Sequence, residues 1–285
     1  VEENHVGGWD DPRMSTLSGM RRRGYPPEAI RAFVEKVGLT KQNSLSDFAL
    51  LEFEVRGYLN NVALRKMAVL DPVKIVITNY PEDASELVDL PNNPQDESAG
   101  TRQLTFAREI WIEREDFLID APKKFFRLKP EGAVRLRGAY IIQHVGHELD
   151  DSGEVSEIHC ELIPNTIGQS APEGIKCKTA IHWISCQEAI DSEVRLYDRL
   201  FTEEIPDNAE VEAMKYNPTA TSDVADAIPI KVEAVVSGNP HDRYGAVHVK
   251  LTSTDADFGA HEEIAPGDYL EIGSEIVKVY KVWYD

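Results

Sequence analysis

The sequence predicts a mainly β protein with a helical subdomain in front, an α+β chain whose strands build antiparallel barrels. Three observations carry this expectation. Apolar residues recur at helical spacing only within the first 66 residues. From residue 67 onward the period falls to two over a series of short runs. Turn signals separate those runs, and no helical pattern alternates with them as βαβ units would require.

The elements follow in order. "GGWDDPRMSTLSGMRRRGYPPEAI" (Gly7 to Ile30) sets an aromatic, acidic and proline-rich knot against three consecutive arginines. Asp10 and Asp11, beside Trp9, Pro12 and Arg13, are expected to cap a turn and pair with arginine. Pro26 and Pro27 suit a helix start, where a missing N–H costs nothing. Ile30, Phe33, Val34 and Val37 then share one helical face, and Gly38 ends the helix. A second helix is predicted from Ser46 as N-cap through Phe48, Leu51, Val55 and Leu59.

The period changes across "RKMAVLDPVKIVITNYPED", at Asp71-Pro72, and this marks the clearest domain boundary. "LTFAREIWIER" alternates, with Ile110 and Ile112 on one face and Trp111 on the other. "VRLRGAYIIQHVGHEL" and "EVSEIHCEL" flank "DDSG", a hairpin signal. "KTAIHWIS" and "EVRLYDRLF" read as further strands, and "DLPNNPQDESAGTRQ" as an ordered polar loop. Beyond Thr219 come "IPIKVEAVV", "GAVHVKLTS" and "DYLEIGSEIVKVYKVWY", the last a hairpin turning at Gly273-Ser274. The organisation expected is therefore a helical unit over residues 1–66, a barrel region over 67–218, and an acidic β-rich tail over 219–285.

Composition narrows the function classes. With 285 residues, 42% hydrophobic and 28% charged, the chain can bury more than one core. No apolar run approaches the roughly 18 residues of a membrane span, and no secretory signal opens the sequence. Three cysteines without CxxC spacing argue against a disulfide framework or zinc site, and for a cytoplasmic location. A formal net charge of -20 disfavours indiscriminate polyanion binding. The basic residues nevertheless cluster: Arg21, Arg22 and Arg23, then Arg65 and Lys66, then Lys123, Lys124, Arg127, Lys129, Arg135 and Arg137. Taken alone, such a cluster is most simply a solvated face.

Catalytic motifs are missing from this sequence. No GxxxxGK[ST], GxGxxG or GxSxG stretch is present. His144 and His147 form an HxxH, but on a strand an i, i+3 pair points to opposite faces, so no metal is expected there. His159 and His182 read as core or interface histidines, and Cys186 as a buried inert thiol.

Several motifs in fixed order resemble one family. "GGWDDPRMSTLSGMRRRGYPPEAI", "TKQNSLSDFALLEFEVRGYLNN", "MAVLDPVKIVITNY", "LPNNPQDESAGTR", "REIWIEREDF", "KKFFRL", "VRLRGAYII", "IHWIS" and "EVRLYDRLF" together are similar to glutaminyl-tRNA synthetase over about residues 4 to 218. The resemblance implies a helical connector followed by two anticodon-binding β-barrels. It implies a parent enzyme that makes Gln-tRNA from glutamine, ATP and tRNA, with ATP and magnesium bound upstream of this chain and no cofactor or catalytic residue within it. It further implies a monomeric partner of glutamine tRNA, with no DNA or membrane partner.

The family's tRNA contacts carry over residue by residue. Thr40, Lys41 and Gln42 match a backbone-contacting Thr-Lys-Gln, and Asn60 matches an Asn on the following helix. Arg65 corresponds to an anticodon-reading arginine, and Pro94 and Gln95 to a Pro-Asn loop position. Lys124 and Arg127 fall on positions facing the anticodon, and Arg135 and Arg137 match the arginines of "VRLR". As i, i+2 residues of a strand these last two share a face. After Asn217-Pro218 the resemblance stops, and the tail reads either as a divergent barrel ending, paired with "VRLRGAYII" or "EIWIER", or as an appended module. A related glutamyl-tRNA synthetase and a stand-alone tRNA-binding module are the competing identities.

Overall fold

Helix α1 (Leu17–Arg23) starts because Thr16 accepts the Gly19 amide, and stops because Gly24 turns left-handed at φ 95. Its last turn holds Arg21, Arg22 and Arg23, where cations complement the helix dipole. In this computed structural model residues 6–38, 41, 45–194 and 200–201 are described, with strand segments 228–233, 247–248, 250–251, 269–272 and 275–281. Helix α2 (Pro27–Val37) begins at the second proline and ends at Gly38, as the sequence predicts. Helix α3 (Phe48–Val62) is capped by the Asp47 carboxylate, which accepts the Ala49 amide, so Asp47 and not Ser46 is the N-cap. Tyr25, Ala29, Leu51, Val55, Leu59 and Ala63 form the small core between these helices.

The strands run β1 (Met67–Val69), β2 (Pro72–Ile77), β3 (Ser85–Pro91), β4 (Thr101–Ala107), β5 (Glu109–Glu113), β6 (Ala133–Leu136), β7 (Ile141–Leu149) and β8 (Val155–Ile163). They continue as β9 (Ala180–Ile181), β10 (Ile184–Ser185), β11 (Ala189–Val194), β12 (Ile228–Glu233), β13 (Val247–His248), β14 (Lys250–Leu251), β15 (Tyr269–Ile272) and β16 (Glu275–Lys281). One sheet has the order β10-β5-β2-β8-β7-β6-β9, another β13-β16-β15-β1-β12-β11-β14, and β3 pairs with β4. The protein is mainly β. Its sheets are mixed, which corrects the antiparallel expectation: β2 with β8, β6 with β9, β1 with β15 and β13 with β16 are parallel pairs.

The first sheet curls back on itself. Its two edge strands, β9 and β10, are joined by only His182 and Trp183. So short a link brings the edges within about 10 Å of each other. "KTAIHWIS" is thus two short strands and not one. Trp183, at the crossing, is fully buried against Phe106, ring centroids 5.4 Å apart and edge to face, and its indole N–H donates to the Arg137 carbonyl at 3.0 Å. Ile75, Ile77, Ile110 and Ile112 line the same core, and Trp111 lies on the opposite face as the alternation predicts.

The predicted hairpin is present as β7 and β8, with Asp150 accepting the amides of Ser152 and Glu154 in its turn. A bulge interrupts it. His144 pairs with Cys160 and Gly146 with His159, which leaves exposed Val145 as an extra residue. The bulge reverses the alternation, so His144 and His147 share the inner face, with Nε2 of the first 3.2 Å from Nδ1 of the second. The expectation of opposite faces is corrected on this ground.

The tail strands pair elsewhere than expected. β12 joins β1 and β11, and β15 joins β1, so neither meets the strands of "VRLRGAYII" or "EIWIER". β15 and β16 pair antiparallel with Ile272 opposite Glu275, and the Gly273-Ser274 turn itself lies outside the described residues. β11 includes Glu193 and Val194 of "EVRLYDRLF", and residues 195–199 of that stretch lie outside the described residues.

Candidate nucleic-acid interface

The end of α3 and the loop after β3 form one unit. Arg65, just past the helix, is buried. Its guanidinium donates to the Ala63 carbonyl at 2.9 Å, the Asn60 carbonyl at 2.9 Å and the Asn60 side-chain oxygen at 2.8 Å. The Asn60 carbonyl belongs to the last turn of α3, whose acceptors have no partner within the helix, and Ala63 is the extended residue that caps it. The Arg65 amide in turn donates to the Asn92 carbonyl. Asn93, buried, donates to the Asn61 carbonyl at 2.8 Å and accepts the Gln95 amide at 2.9 Å. That Asx turn leaves Pro94 and Gln95 exposed at the surface. The sequence reading missed Asn93, although an Asn before a Pro is the signal for it.

A second unit follows β5 and runs through β6. Over residues 117–137 it carries Lys123, Lys124, Arg127, Lys129, Arg135 and Arg137 against only Asp120 and Glu131. The local balance is therefore basic within a strongly acidic chain. Lys124 is exposed. Arg127 is held, with Nη1 3.0 Å from Glu115 Oε1 and Nε 3.1 Å from Asp116 Oδ1. Phe126, between them, is half exposed, and Lys178 lies 5.0 Å above its ring. An exposed aromatic among cations is a stacking surface, and the sequence reading passed over it.

Arg135 lies on β6, between β7 and β9, and Arg137 directly follows that strand. The burial pattern of β6 places Arg135 outward and Val134 and Leu136 inward. The Arg135 guanidinium donates to the carbonyls of Thr166, at 2.6 Å, and Gln169. With Gly138, Ala139, Gly168, Gln169 and Ser170 it lines an open cavity of about 380 Å³. The amides of Arg135 and Arg137 donate to Thr179 and Ile181. Lys178 and Thr179 therefore tie the Phe126 segment to β6. Gly138, at φ 69, turns the chain so closely over Leu90 that a Cβ would stand 2.7 Å from that side chain. Leu90 belongs to the strand that leads into the Asn92 loop, so the two units are packed against each other.

Lys41 is exposed and precedes α3, whereas Asn60 lies near its far end, about 18 Å along the axis. Thr40 and Gln42 lie outside the described residues.

Beneath the basic segment sits a network of buried acids. Glu113 accepts the amides of Leu70 and Asp71 and lies 3.2 Å from His182 Nε2. Burial alone would raise its carboxyl, but the hydrogen bonds from His182 and the two amides outweigh it and hold the group below its ordinary value. Asp116 is different. Burial pushes it up to about 6, against the pull of His182 and Arg127. On the inner face, Phe117 stacks on His144 at 5.2 Å and 13°. The Glu131 amide donates to His144 Nδ1, so Nε2 carries the proton toward His147. Burial, with His147 nearby, lowers the His144 pKa. His159, expected in a core or interface, lies on the outer face, and Cys186 is only half-buried. Near the N-terminus Asp11 takes Arg13 through two oxygens, as expected, and lies at about 2, because these bonds outweigh its burial. No helix among the described residues is long and apolar enough to cross a membrane.

Comparison with known proteins bears on this arrangement. Two models for the anti-codon binding domain of class I tRNA synthetases (E and Q) match residues 63–163 and 180–235. The catalytic-domain model of the same class matches residues 1–59, the segment expected to be only a connector. A glutamine–tRNA ligase of Bradyrhizobium diazoefficiens is 48% identical over 237 residues, 83% of this chain and 42% of the relative. Those of Pseudomonas syringae pv. tomato and Rhodopirellula baltica are 49% and 52% identical over 74% and 73% of the chain. The chain spans about two fifths of the length of the curated relatives it matches. By these matches, in register with the elements described above, the chain belongs to the glutaminyl-tRNA synthetases of the class I (E and Q) family.

Proposed function

We propose that this chain grips the anticodon end of a glutamine tRNA, as part of an enzyme that joins glutamine to that tRNA with ATP. The observation that carries the reading is the basic segment of residues 117–137, with Arg127 and Arg135 held by acceptor partners, inside the anticodon-domain match of an otherwise acidic chain. Sequence-specific RNA reading needs donors and stacking surfaces for splayed loop bases, and Arg137, Lys124, Gln95 and Phe126 offer both. On this reading two barrels follow a helical subdomain, with residues 1–66, 67–218 and 219–285 as successive units, and the tail strands finish the second barrel. ATP and magnesium belong to the adenylate site of the parent enzyme, and no residue of this chain is assigned to them. The protein acts as a cytoplasmic monomer and does not bind DNA.

Filter binding of glutamine tRNA transcripts tests the anticodon reading. The cognate transcript should bind at least about tenfold more tightly than one with a substituted anticodon. Equal affinity for the two would overturn it. Charging assays on the full reading frame with glutamine and with glutamate separate this identity from a glutamyl-tRNA synthetase.

A further inference from the structure

We propose that the outer face of the β7–β8 hairpin is a site for one divalent transition metal of the zinc type, held by Glu148, Glu157 and His159. The bulge at Val145 sets this face. Beyond it Glu148 stands directly opposite Glu157, and Gly146 opposite His159. Glu157 and His159 are two residues apart on one strand and so project the same way. The result is two carboxylates and an imidazole from adjacent strands, with ligand atoms all within 4.8 Å of one another.

The distances fit a small ion. His159 Nε2 lies 3.0 Å from Glu157 Oε1 and 3.9 Å from Glu148 Oε1. A tetrahedral centre with bonds near 2.0–2.2 Å has ligand edges of about 3.3–3.5 Å, so small side-chain rotations close the site. Like charges directly opposite in a sheet repel, and a cation between them removes that cost. Lys74, opposite Glu157 on β2, takes the other oxygen, Oε2, at 2.6 Å. Its bond holds the Glu157 carboxyl below the ordinary range and leaves Oε1 aimed at His159. Such an outer hydrogen bond is what orients a ligating carboxylate. Gly146 adds no side chain beside the imidazole, where even a Cβ would stand 3.7 Å from Nδ1. The nitrogen ligand selects zinc, nickel or copper over the all-oxygen preference of magnesium and calcium. The exposed rim at Glu148 leaves the fourth position to water.

The test is calorimetric titration of the chelator-stripped full chain with zinc chloride, and with magnesium chloride for comparison. One equivalent of zinc should bind, with magnesium at least about a hundredfold weaker. His159→Gln and Glu148→Gln should each weaken zinc at least about tenfold, whereas His147→Gln, on the opposite face, should change it less than about twofold. Circular dichroism melts should show each variant folded, and added zinc should raise the melting temperature of the parent chain but not of His159→Gln. Absence of a stoichiometric site, affinity untouched by His159→Gln and Glu148→Gln, or equal loss in His147→Gln would overturn the proposal.

Discussion

Arg65 places one guanidinium nitrogen between the two oxygens of Asn60, 2.9 Å from its carbonyl and 2.8 Å from its side-chain amide oxygen. Two residues expected to contact RNA separately are thus one assembly that finishes α3. Arg65→Ala leaves the Ala63 and Asn60 carbonyls without this donor and should cost about 1–3 kcal/mol in urea unfolding. Because the side chain is engaged inside the protein, its removal should weaken cognate and anticodon-substituted tRNA alike. A loss confined to the cognate tRNA, with unfolding unchanged, would return Arg65 to direct base reading.

Arg137 is the expected base reader. Its alanine variant should lose about 1–3 kcal/mol of affinity for the cognate anticodon and much less for a substituted one. Paired filter-binding curves measure this. Arg135→Ala should add a structural cost, since the carbonyls of Thr166 and Gln169 lose their donor.

Lys41 is the candidate for a purely electrostatic contact. Lys41→Ala should reduce the magnitude of the log-log salt slope of tRNA binding by about 1, whatever the anticodon. Affinity that stays flat from low to moderate salt would refute the electrostatic picture.

Asp116 supplies a pH signature. Its folded pKa of about 6 lies above the unfolded value, so the folded state binds the proton more tightly. The resulting stabilisation is full below the unfolded pKa and is lost as pH rises toward 6 and beyond. Asp116→Asn, which keeps an oxygen for Arg127, should raise the melting temperature at pH 7.5 by roughly 2–5 °C. The gain should vanish near pH 4. An equal change at both values would mean that the carboxyl is not raised by burial.

Periodicity made α2, α3 and the β7–β8 hairpin legible, because each exposes one side to water and the other to a core. It failed where the chain serves two partners. "KTAIHWIS" has the composition of one strand, yet His182 and Trp183 carry it across the seam of a curled sheet, a closure that no local pattern encodes. The histidine pair was misread for a similar reason, since a bulge is a property of two strands in register and not of either alone. At the interface the cations were visible as residue types. Their commitments were not: whether an arginine faces solvent or braces a carbonyl depends on residues such as Asn60 and Thr166, up to 31 positions away.

The extra residue at Val145 also couples two surfaces that share no side chain. Because parity along β7 changes there, a pairing that absorbed Val145 into a regular ladder would turn every residue beyond it to the other face. Glu148 would be driven toward the inner face of the sheet, and His147 into water. Variation in length at the turn is a local matter of turn geometry, but a change of pairing at this point is inherited by every residue downstream to Leu149. Natural insertions should therefore gather at the Asp150–Glu154 turn and avoid β7 around the bulge, where only loss of the extra residue itself keeps both faces.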